Sequence, residues 1–262
     1  MRILRVAVVG LLGGILMAPV AAQEAEKRRS PGEGGTGAGG AVVTGLVKFK
    51  GRKPARKPNE PMLGHPYCKE ACGGKAPLEE KWVFGKNGED DTLVNVLVWI
   101  SKGLEDKTFE PPREPALLDQ VSCTYVPHVL ALMAGQTLEI RNSDGTLHNV
   151  MCNPFKNAPF NEGMSVKGGK IEKVFKKPEF KVELRCVLHP WMFSYVHVLE
   201  HPFFAVTPEN GTFTLRGLPP GDYELSVKHE ASRFAAEPQT VTIKVAQGET
   251  KHVEFTYEDK QD

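Results

Sequence analysis

The chain has 262 residues, of which 40% are hydrophobic and 25% are charged, and its formal net charge is +1 at pH 7. This composition is typical of a globular protein with one large or two small domains. Near-neutrality gives no support for a nucleic-acid or polyanionic partner, and we expect none. The 26 glycines, the 20 prolines and many short alternating segments predict an all-β protein.

Residues 1–22 have the form of a secretory signal peptide. Arg2 and Arg5 give a basic start, residues 6–17 are apolar, and small residues at 20–22 offer a cleavage site. The apolar run is shorter than the roughly 20 residues that span a membrane, although an uncleaved N-terminal anchor is the alternative. We therefore expect a periplasmic or secreted protein with no membrane span after cleavage.

A leader and a set of strands and loops follow the signal peptide. Residues 23–40 are rich in glycine and predict a flexible leader. Residues 41–119 are predicted to form strands and loops, starting with the alternating run 43–51. The continuous apolar run 92–100 predicts a strand that is buried on both faces.

Four cysteines are candidates for disulfides, because an exported protein folds in an oxidising compartment. Two bridges, with three possible connectivities, are open to Cys68, Cys72, Cys123 and Cys152. The alternative for Cys68 and Cys72, which lie close to His65 in sequence, is a soft-metal site of the kind used in copper delivery.

Two later segments carry the residues that indicate chemistry. In the first, a strand, a turn at Gly135 and a second strand lead to the polar loop 142–145 and then to His148 and Asn149. In the second, residues 180–186 alternate apolar and charged side chains, the period-two pattern of a half-buried strand. The inward-facing positions of that strand are predicted to be Phe180, Val182, Leu184 and Cys186.

The loop after the second strand offers three donor atoms that suit copper. Cys186, His189 and Met192 follow one another as Cys-x-x-His-x-x-Met. A thiolate, an imidazole and a weak axial thioether are three of the four ligands of a blue-copper site. The fourth ligand, a second histidine, has to come from a different strand, and His148 is available.

Together the two segments resemble the cupredoxins, and above all the group that contains amicyanin, pseudoazurin and plastocyanin. We assign the copper domain to residues 120–202 on this resemblance. The resemblance implies a Greek-key β-sandwich with one mononuclear type 1 copper as its cofactor. The implied metal ligands are His148, Cys186, His189 and Met192, with Asn149 beside the thiolate.

Alternatives to this ligand set stay open. Cys186 could be a small buried hydrophobic residue, and the loop after it ordinary packing. Cys152 lies four residues after His148 and could supply a second thiolate. His197 and His201 are predicted to lie on the surface, because histidines four residues apart converge on a metal in a helix and this stretch alternates like a strand.

The C-terminal part indicates a second, smaller β-sandwich, which we assign to residues 203–258. Asn210-Gly211 predicts a hairpin. The stretch 207–227 resembles the carboxypeptidase regulatory-like (transthyretin-like) domain, and further strands are predicted at 241–245 and 252–257.

The strands of the N-terminal part have two possible partners. Residues 43–51 resemble the opening strand of the same regulatory-like domain, so the copper domain could be inserted in a discontinuous second sandwich. Strands between residues 41 and 110 could instead complete the cupredoxin.

These patterns predict an exported carrier of single electrons, not an enzyme, with a redox protein such as a c-type cytochrome as its partner. The eight histidines include no His-x-His pair of the kind that copper oxidases and nitrite reductases use. The alternative functions are copper storage or delivery, and a carbohydrate- or matrix-binding sandwich whose apparent ligands merely pack.

The cupredoxin resemblance also implies where electrons enter. In that family the histidine of the ligand loop exposes its ring edge, so His189 is expected at the surface. The expected docking patch around it contains Trp191 and Phe193, and Pro154 and Phe155 are expected to widen it.

Overall fold

The computed structural model describes residues 39–165, 167–231 and 237–259. The predicted signal peptide and most of the predicted leader lie outside these residues. No helix within the described ranges is long and apolar enough to cross a membrane. The strands in chain order are β1 (Ala41–Lys50), β2 (Phe84–Asn87), β3 (Asp90–Leu93), β4 (Val96–Lys102), β5 (Ala116–Val121), β6 (Thr124–Val126), β7 (Val129–Met133), β8 (Thr137–Asn142), β9 (His148–Cys152), β10 (Phe160–Met164), β11 (Lys170–Val174), β12 (Glu179–Arg185), β13 (Phe193–Leu199), β14 (Phe204–Val206), β15 (Thr212–Leu218), β16 (Gly221–His229), β17 (Gln239–Val245) and β18 (Thr250–Glu258).

Two short helices lie between β1 and β2. They are a 3-10 helix, Glu60–Gly64, and an α-helix, α1 (Pro66–Ala71). The rest of the described regular structure is strand, which confirms the predicted all-β fold class.

Strands from the early and late parts of the chain form one sandwich. Its first sheet has the order β15–β1–β3–β2, and β18 pairs with β1 in parallel. Its second sheet has the order β14–β4–β16–β17. Alternate residues of these strands point inward, as the period of a strand requires. They form one apolar core that includes Val43, Val47, Val98, Phe213 and Leu225.

The strands between these two parts form the other sandwich. One of its sheets has the order β10–β9–β12–β13–β7, and the facing sheet has the order β11–β8–β5–β6. The pairs β7–β13 and β5–β8 are parallel. The core between the sheets includes Leu118, Leu130, Ile140, Val150 and Leu184.

The pairing of β1 to β4 bears on the two arrangements that the sequence left open. These four strands pair with one another or with β14 to β18, and β5 is the first strand that pairs inside the other sandwich. We propose on this basis that the second sandwich is a discontinuous domain into which the other sandwich is inserted. Its relation to the carboxypeptidase regulatory-like family stays a prediction.

The apolar run 92–100 does not form the continuous strand that the sequence predicts. β3 ends at Leu93 and β4 begins at Val96, in the facing sheet. Asn95, between them, has a φ of 62°, in the left-handed region. The buried hydroxyl of Thr207 holds this bend, since it donates to the carbonyl of Leu93 (2.9 Å) and accepts from the N–H of Val96 (3.0 Å).

The prediction that Asn210-Gly211 joins two paired strands in a hairpin is also wrong. The turn is present, and Gly211 has a φ of 69°, which favours glycine. The strands on either side of it lie in different sheets, because β14 pairs with β4 and β15 pairs with β1. The turn therefore carries the chain across the sandwich. The Asn-Gly sequence thus predicted the turn correctly, but it does not determine how the flanking strands pair.

An apolar cluster packs the two sandwiches together. It contains Leu97 and Trp99 of β4, Met133 of β7, Leu199 of β13 and Phe204 of β14. The two sandwiches therefore share buried apolar surface, which contributes roughly 25 cal/mol for each Å² removed from water.

A buried ionic contact lies beside this cluster. His128, just before β7, places Nε2 2.9 Å from a carboxylate oxygen of Glu230, just after β16, and Nδ1 3.5 Å from one of Glu80. Burial opposes the charged imidazole, but the hydrogen bond to Glu230 and the two nearby carboxylates outweigh burial and raise the pKa of His128 above 6.5.

We expect this contact to make stability depend on pH. A pKa that is raised in the folded state contributes stability that is fully present below the unfolded value of 6.5 and is lost as pH rises through the folded value. The free energy of unfolding, measured by urea denaturation, should therefore fall above pH 6.5. The variant His128→Gln, which cannot titrate, should show a flatter profile there. An unchanged slope in His128→Gln would assign the pH dependence to other groups.

Candidate metal centre

The loop between β8 and β9 places the first candidate ligand. The side chain of Asn142 holds the loop by donating to the carbonyls of Thr146 (3.0 Å) and Met164 (2.9 Å) and accepting from the N–H of Asp144 (2.9 Å). His148 follows as the first residue of β9 and is completely buried.

The loop between β12 and β13 places the other candidates. The N–H of Cys186 donates to the carbonyl of Met192 (3.0 Å), and the N–H of Met192 donates to the carbonyl of His189 (2.8 Å). These bonds close the loop on itself. Cys186, His189 and Met192 are consequently held at one end of the sandwich, and each is no more than 2% exposed.

The structure brings His148, Cys186 and His189 together. The Nδ1 atoms of the two histidines are 2.9 Å apart, and Cys186 Sγ lies 3.6 Å from Nδ1 of His189. One donor atom from each of the three residues lies within 4.8 Å of the others. Met192 shares their loop and their apolar core. Two imidazoles and a thiol thus converge on one buried point.

Asn149 joins the two loops. Its side-chain oxygen accepts from the N–H of Val187 (2.6 Å), its backbone N–H donates to Cys186 Sγ (3.5 Å), and its amide nitrogen donates to Asn161 (2.6 Å). Asn149 therefore lies beside the sulfur, at the position that the resemblance implies for it.

Metal binding requires a thiolate and neutral imidazoles, and the ionisation of two of the three donors suits it. The exception is His148: burial opposes its charged imidazole, but hydrogen bonds with Asp144 and Cys186 outweigh burial and raise its pKa. Burial opposes the thiolate of Cys186, but hydrogen bonds from His148 and from backbone N–H groups outweigh it and lower the pKa of Cys186. Burial and the neighbouring His148 and His65 lower the pKa of His189 to about 4.

Asp144 orients the imidazole of His148. Its Oδ2 lies 2.9 Å from Nε2 of His148, and the carboxylate also accepts from the N–H groups of Ser122 (2.6 Å) and Cys123 (2.8 Å). Burial opposes ionisation of Asp144, but these hydrogen bonds outweigh it and lower its pKa. Because the carboxylate occupies Nε2, Nδ1 of His148 is directed at the centre. A carboxylate partner on a ligating histidine is common at metal sites, and this rule could have identified Asp144 from sequence.

A segment far upstream covers the centre, which the sequence analysis did not predict, although Cys68 and Cys123 were among the candidates for disulfides. A disulfide joins Cys68 of α1 to Cys123. The ring of His65 meets that of His189 edge-on at 4.7 Å. The hydroxyl of Tyr67 accepts from the N–H of Gly145 (2.7 Å). His189 is therefore only 2% exposed, and the expectation of an exposed ring edge is wrong.

The docking patch expected from the sequence is also different in the structure. Trp191 is half-buried, and its indole N–H donates to the carbonyl of Cys123 (3.1 Å). Phe155 is fully exposed but lies beyond Cys152, at the far end of β9 from His148. Its N–H donates to Glu179, at the start of β12, whereas the ligand loop follows the end of that strand. Phe155 therefore lies away from the centre.

Other side chains also depart from the predicted pattern. Phe180 is 48% exposed although Val182 and Leu184 face inward, because a bulge at Lys181, with a φ of 57°, shifts the register of β12. His197 is buried, not on the surface. It accepts from the N–H of Lys181 (3.3 Å), and burial lowers its pKa to about 3.

His201 and Cys152 both lie outside the candidate metal centre. His201 is half-buried and donates to the carbonyl of Ile100 (2.8 Å), so it is not the surface residue that the sequence predicted. Cys152 lies in the core near the far end of β9, and burial raises the pKa of its thiol to about 12. Among the described residues it belongs to none of the clusters of His, Cys and acidic side chains that could hold an ion.

One of the two expected disulfides is present. Cys72 and Cys152 are free, because Cys72 is half-buried at the end of α1 while Cys152 is enclosed in the core. The bridge also removes Cys68 from the soft-metal pair with Cys72, on which the copper-delivery alternative depended.

Comparison with known proteins finds partial similarity to solved structures only. No protein-family profile matches the chain, and no curated protein does. Among solved structures, the Cu-containing nitrite reductase (NirK) from Thermus scotoductus SA-01 matches at 24% identity over 38% of this chain and 25% of its own, with a TM-score of 0.31. The chain thus spans only a quarter of that enzyme.

Two small proteins match over nearly their whole length. The purple cupredoxin from Nitrosopumilus maritimus matches at 23% identity over 32% of this chain and 98% of its own, with a TM-score of 0.28. A Cu(I) form of an amicyanin mutant matches at 20% identity over 38% of this chain and 97% of its own, with a TM-score of 0.30. The structural neighbours are thus cupredoxins, over about 38% of the chain.

The state of the cysteines can be tested directly. Mass mapping of unreduced peptides should find Cys68 joined to Cys123, and alkylation of native apo-protein should label Cys72 well before the buried Cys152. The variant Cys123→Ala should lose about 4 kcal/mol of stability, since the bridge joins residues 55 apart in sequence. A bridge to Cys152 or Cys72 would contradict the structure.

Proposed function

We propose that this chain is an exported blue copper protein that carries single electrons between redox partners. Its one type 1 copper would be held by His148, Cys186, His189 and Met192, with Asn149 beside the sulfur. The observation that carries the proposal is the convergence of one thiol and two imidazoles at one buried point.

The donor set fits copper by its chemistry. A thiolate with two imidazoles and a weak axial thioether is typical of blue-copper sites. The lowered pKa values of Cys186 and His189 favour the binding forms of both groups. When bound, a copper ion in this set accepts and releases one electron. The side chains of Asp144 and Asn149 keep the donors in place as it does so, because each is hydrogen-bonded to a neighbouring element.

Burial favours an electron carrier over an enzyme. The side chains of His148, Cys186 and His189 are at most 2% exposed, so a substrate molecule has no direct access to the point where they meet. An electron needs no such access. The nitrite reductase among the structural neighbours leaves the enzymatic alternative to be tested by activity assay.

Exposed apolar side chains beside the ligands offer a docking surface for a redox partner. Leu147, next to His148, is 46% exposed, and Val187 and Leu188, within the ligand loop, are each 52% exposed. Weak redox encounters use small interfaces. We propose that these three residues, called here the apolar rim, contact the partner, such as a c-type cytochrome.

The metal site is tested by visible and electron paramagnetic resonance spectra of copper-loaded protein. Cys186→Ser should abolish the intense thiolate-to-copper absorption, because a hydroxyl is not a soft anionic ligand. Met192→Leu should keep the absorption and raise the reduction potential, since the axial bond is long and weak. A blue Cys186→Ser protein would end the assignment.

The apolar rim is tested by a charge placed on it. Leu188→Lys should leave the copper spectrum nearly unchanged and slow electron exchange with a c-type cytochrome about tenfold, because a lysine in an apolar contact must be desolvated. Phe155→Lys is the matched control, since Phe155 is fully exposed at the other end of the sandwich. Equal exchange rates in the two variants would place the docking surface elsewhere.

A further inference from the structure

The segment over the metal centre belongs in sequence to the other sandwich. It runs from the 3-10 helix through α1 to Cys72, between β1 and β2, and is called here the cover (residues 60–72). Two of its side chains, Met62 and Cys68, are completely buried in the core of the metal-binding sandwich. A loop of one domain thus closes the end of the other.

The disulfide of the cover lies close to both candidate imidazoles. Donor atoms of His65, Cys68 and His189 lie within 4.8 Å of one another, and so do those of Cys123, Asp144 and His148. Each sulfur of the bridge therefore lies within 4.8 Å of a donor atom of one of the two imidazoles.

The cover has little regular structure of its own. α1 has six residues, and an isolated helix of that length is unstable in water. Besides the disulfide and Met62, the cover is held by the ring of His65, by hydrogen bonds of the Tyr67 hydroxyl with Gly145 and Asp144, and by partly buried packing of Tyr67 and Cys72 against the core. The exposed Gly73 and Gly74 follow it with φ values of 67° and 76°, and such residues favour local opening.

We propose that the cover is a disulfide-locked lid, which closes over the metal centre after the metal has entered. The inference rests on the proposed metal centre. While Cys68 and Cys123 are thiols, the cover opens and the donors of the centre are accessible. Formation of the disulfide then encloses the ion.

The closing step is a thiol–disulfide exchange. The two thiols give up two electrons and two protons and form the Cys68–Cys123 bond. An oxidised dithiol protein of the export compartment takes them up, and its own disulfide becomes a dithiol. Metal loading accordingly precedes oxidative folding of the cover in this order of events.

The first test measures copper exchange. The double variant Cys68→Ala, Cys123→Ala should release Cu(II) to excess EDTA, and apo-protein of that variant should take up Cu(II), at least about tenfold faster than the wild type. Cys72→Ala, in the same segment but outside the bridge, should behave as the wild type. Equal rates in the folded double variant would overturn the proposal.

A second test needs no metal and separates the lid from the copper assignment. In apo-protein, iodoacetamide should alkylate Cys186 at least about tenfold faster in the double variant than in the wild type. Cys152, buried at the other end of the same sandwich, reports global unfolding in the same sample. A larger rise for Cys186 than for Cys152 supports a lid, and an equal rise of both thiols, which the expected loss of stability alone would produce, shows that the bridge only stabilises the fold.

The lid can also be opened without breaking the disulfide. Tyr67→Phe removes the hydrogen bond with Gly145 and leaves the bridge intact. It should speed alkylation of Cys186 by a smaller factor than the double variant does, and no change at all would count against the contacts assigned here. If no variant binds copper, the proposed function fails, whereas the thiol reactivities still decide whether the lid exists.

Discussion

The candidate metal centre depends on the bond between Asn149 and the backbone of Val187. Its donors come from two loops that are not adjacent in the chain, and Asn149 is the side chain that fixes their separation. Since Asn149 follows His148 directly, its bond to the other loop also sets how far His148 lies from Cys186. A site whose ligands are positioned before the ion binds pays little reorganisation when the ion changes charge.

The buried charge at the centre is also fully hydrogen-bonded. The carboxylate of Asp144 is buried and accepts from the imidazole of His148 and from two successive N–H groups, which is what a buried charge requires. Those N–H groups converge because Ser122 and Cys123 adopt left-handed conformations, with φ values of 51° and 55°. Such residues are strained by about 1 kcal/mol or more each, and they lie beside the site whose geometry they serve.

Local pattern was enough to predict the all-β class and to single out Cys186, His189 and Met192 as donors, with His148 available as a fourth. Asn149 was placed beside them only by the resemblance to the cupredoxins. Cys186 directly follows β12, whose alternation is visible in the sequence, and His189 and Met192 lie in the loop after it, where their spacing made them candidates. The structure brings three of the donors together, and their role as copper ligands stays a prediction.

Where the sequence pattern led to a wrong prediction, the cause was tertiary structure that local pattern does not show. The bend at Asn95 is held by Thr207, more than a hundred residues later, and the bulge at Lys181 turns Phe180 outward. The sequence around His189 does not indicate that His65 and Tyr67 cover it, because a disulfide between distant cysteines holds these residues there. Long-range contacts of this kind leave no periodic trace in the sequence.

The parallel pairing of β1 with β18 determines the order in which the two sandwiches can fold during synthesis. Val42 lies opposite Thr250, so the outer sandwich cannot complete its first sheet until the last strands have been made. The other sandwich needs only residues up to β13 for its own sheets and can assemble while the rest of the chain is still being synthesised. Pairings so distant in sequence form slowly. The outer sandwich is therefore expected to fold last. β1 stays without its partner β18 until the end of the chain has been synthesised, by which time the other sandwich can already be folded.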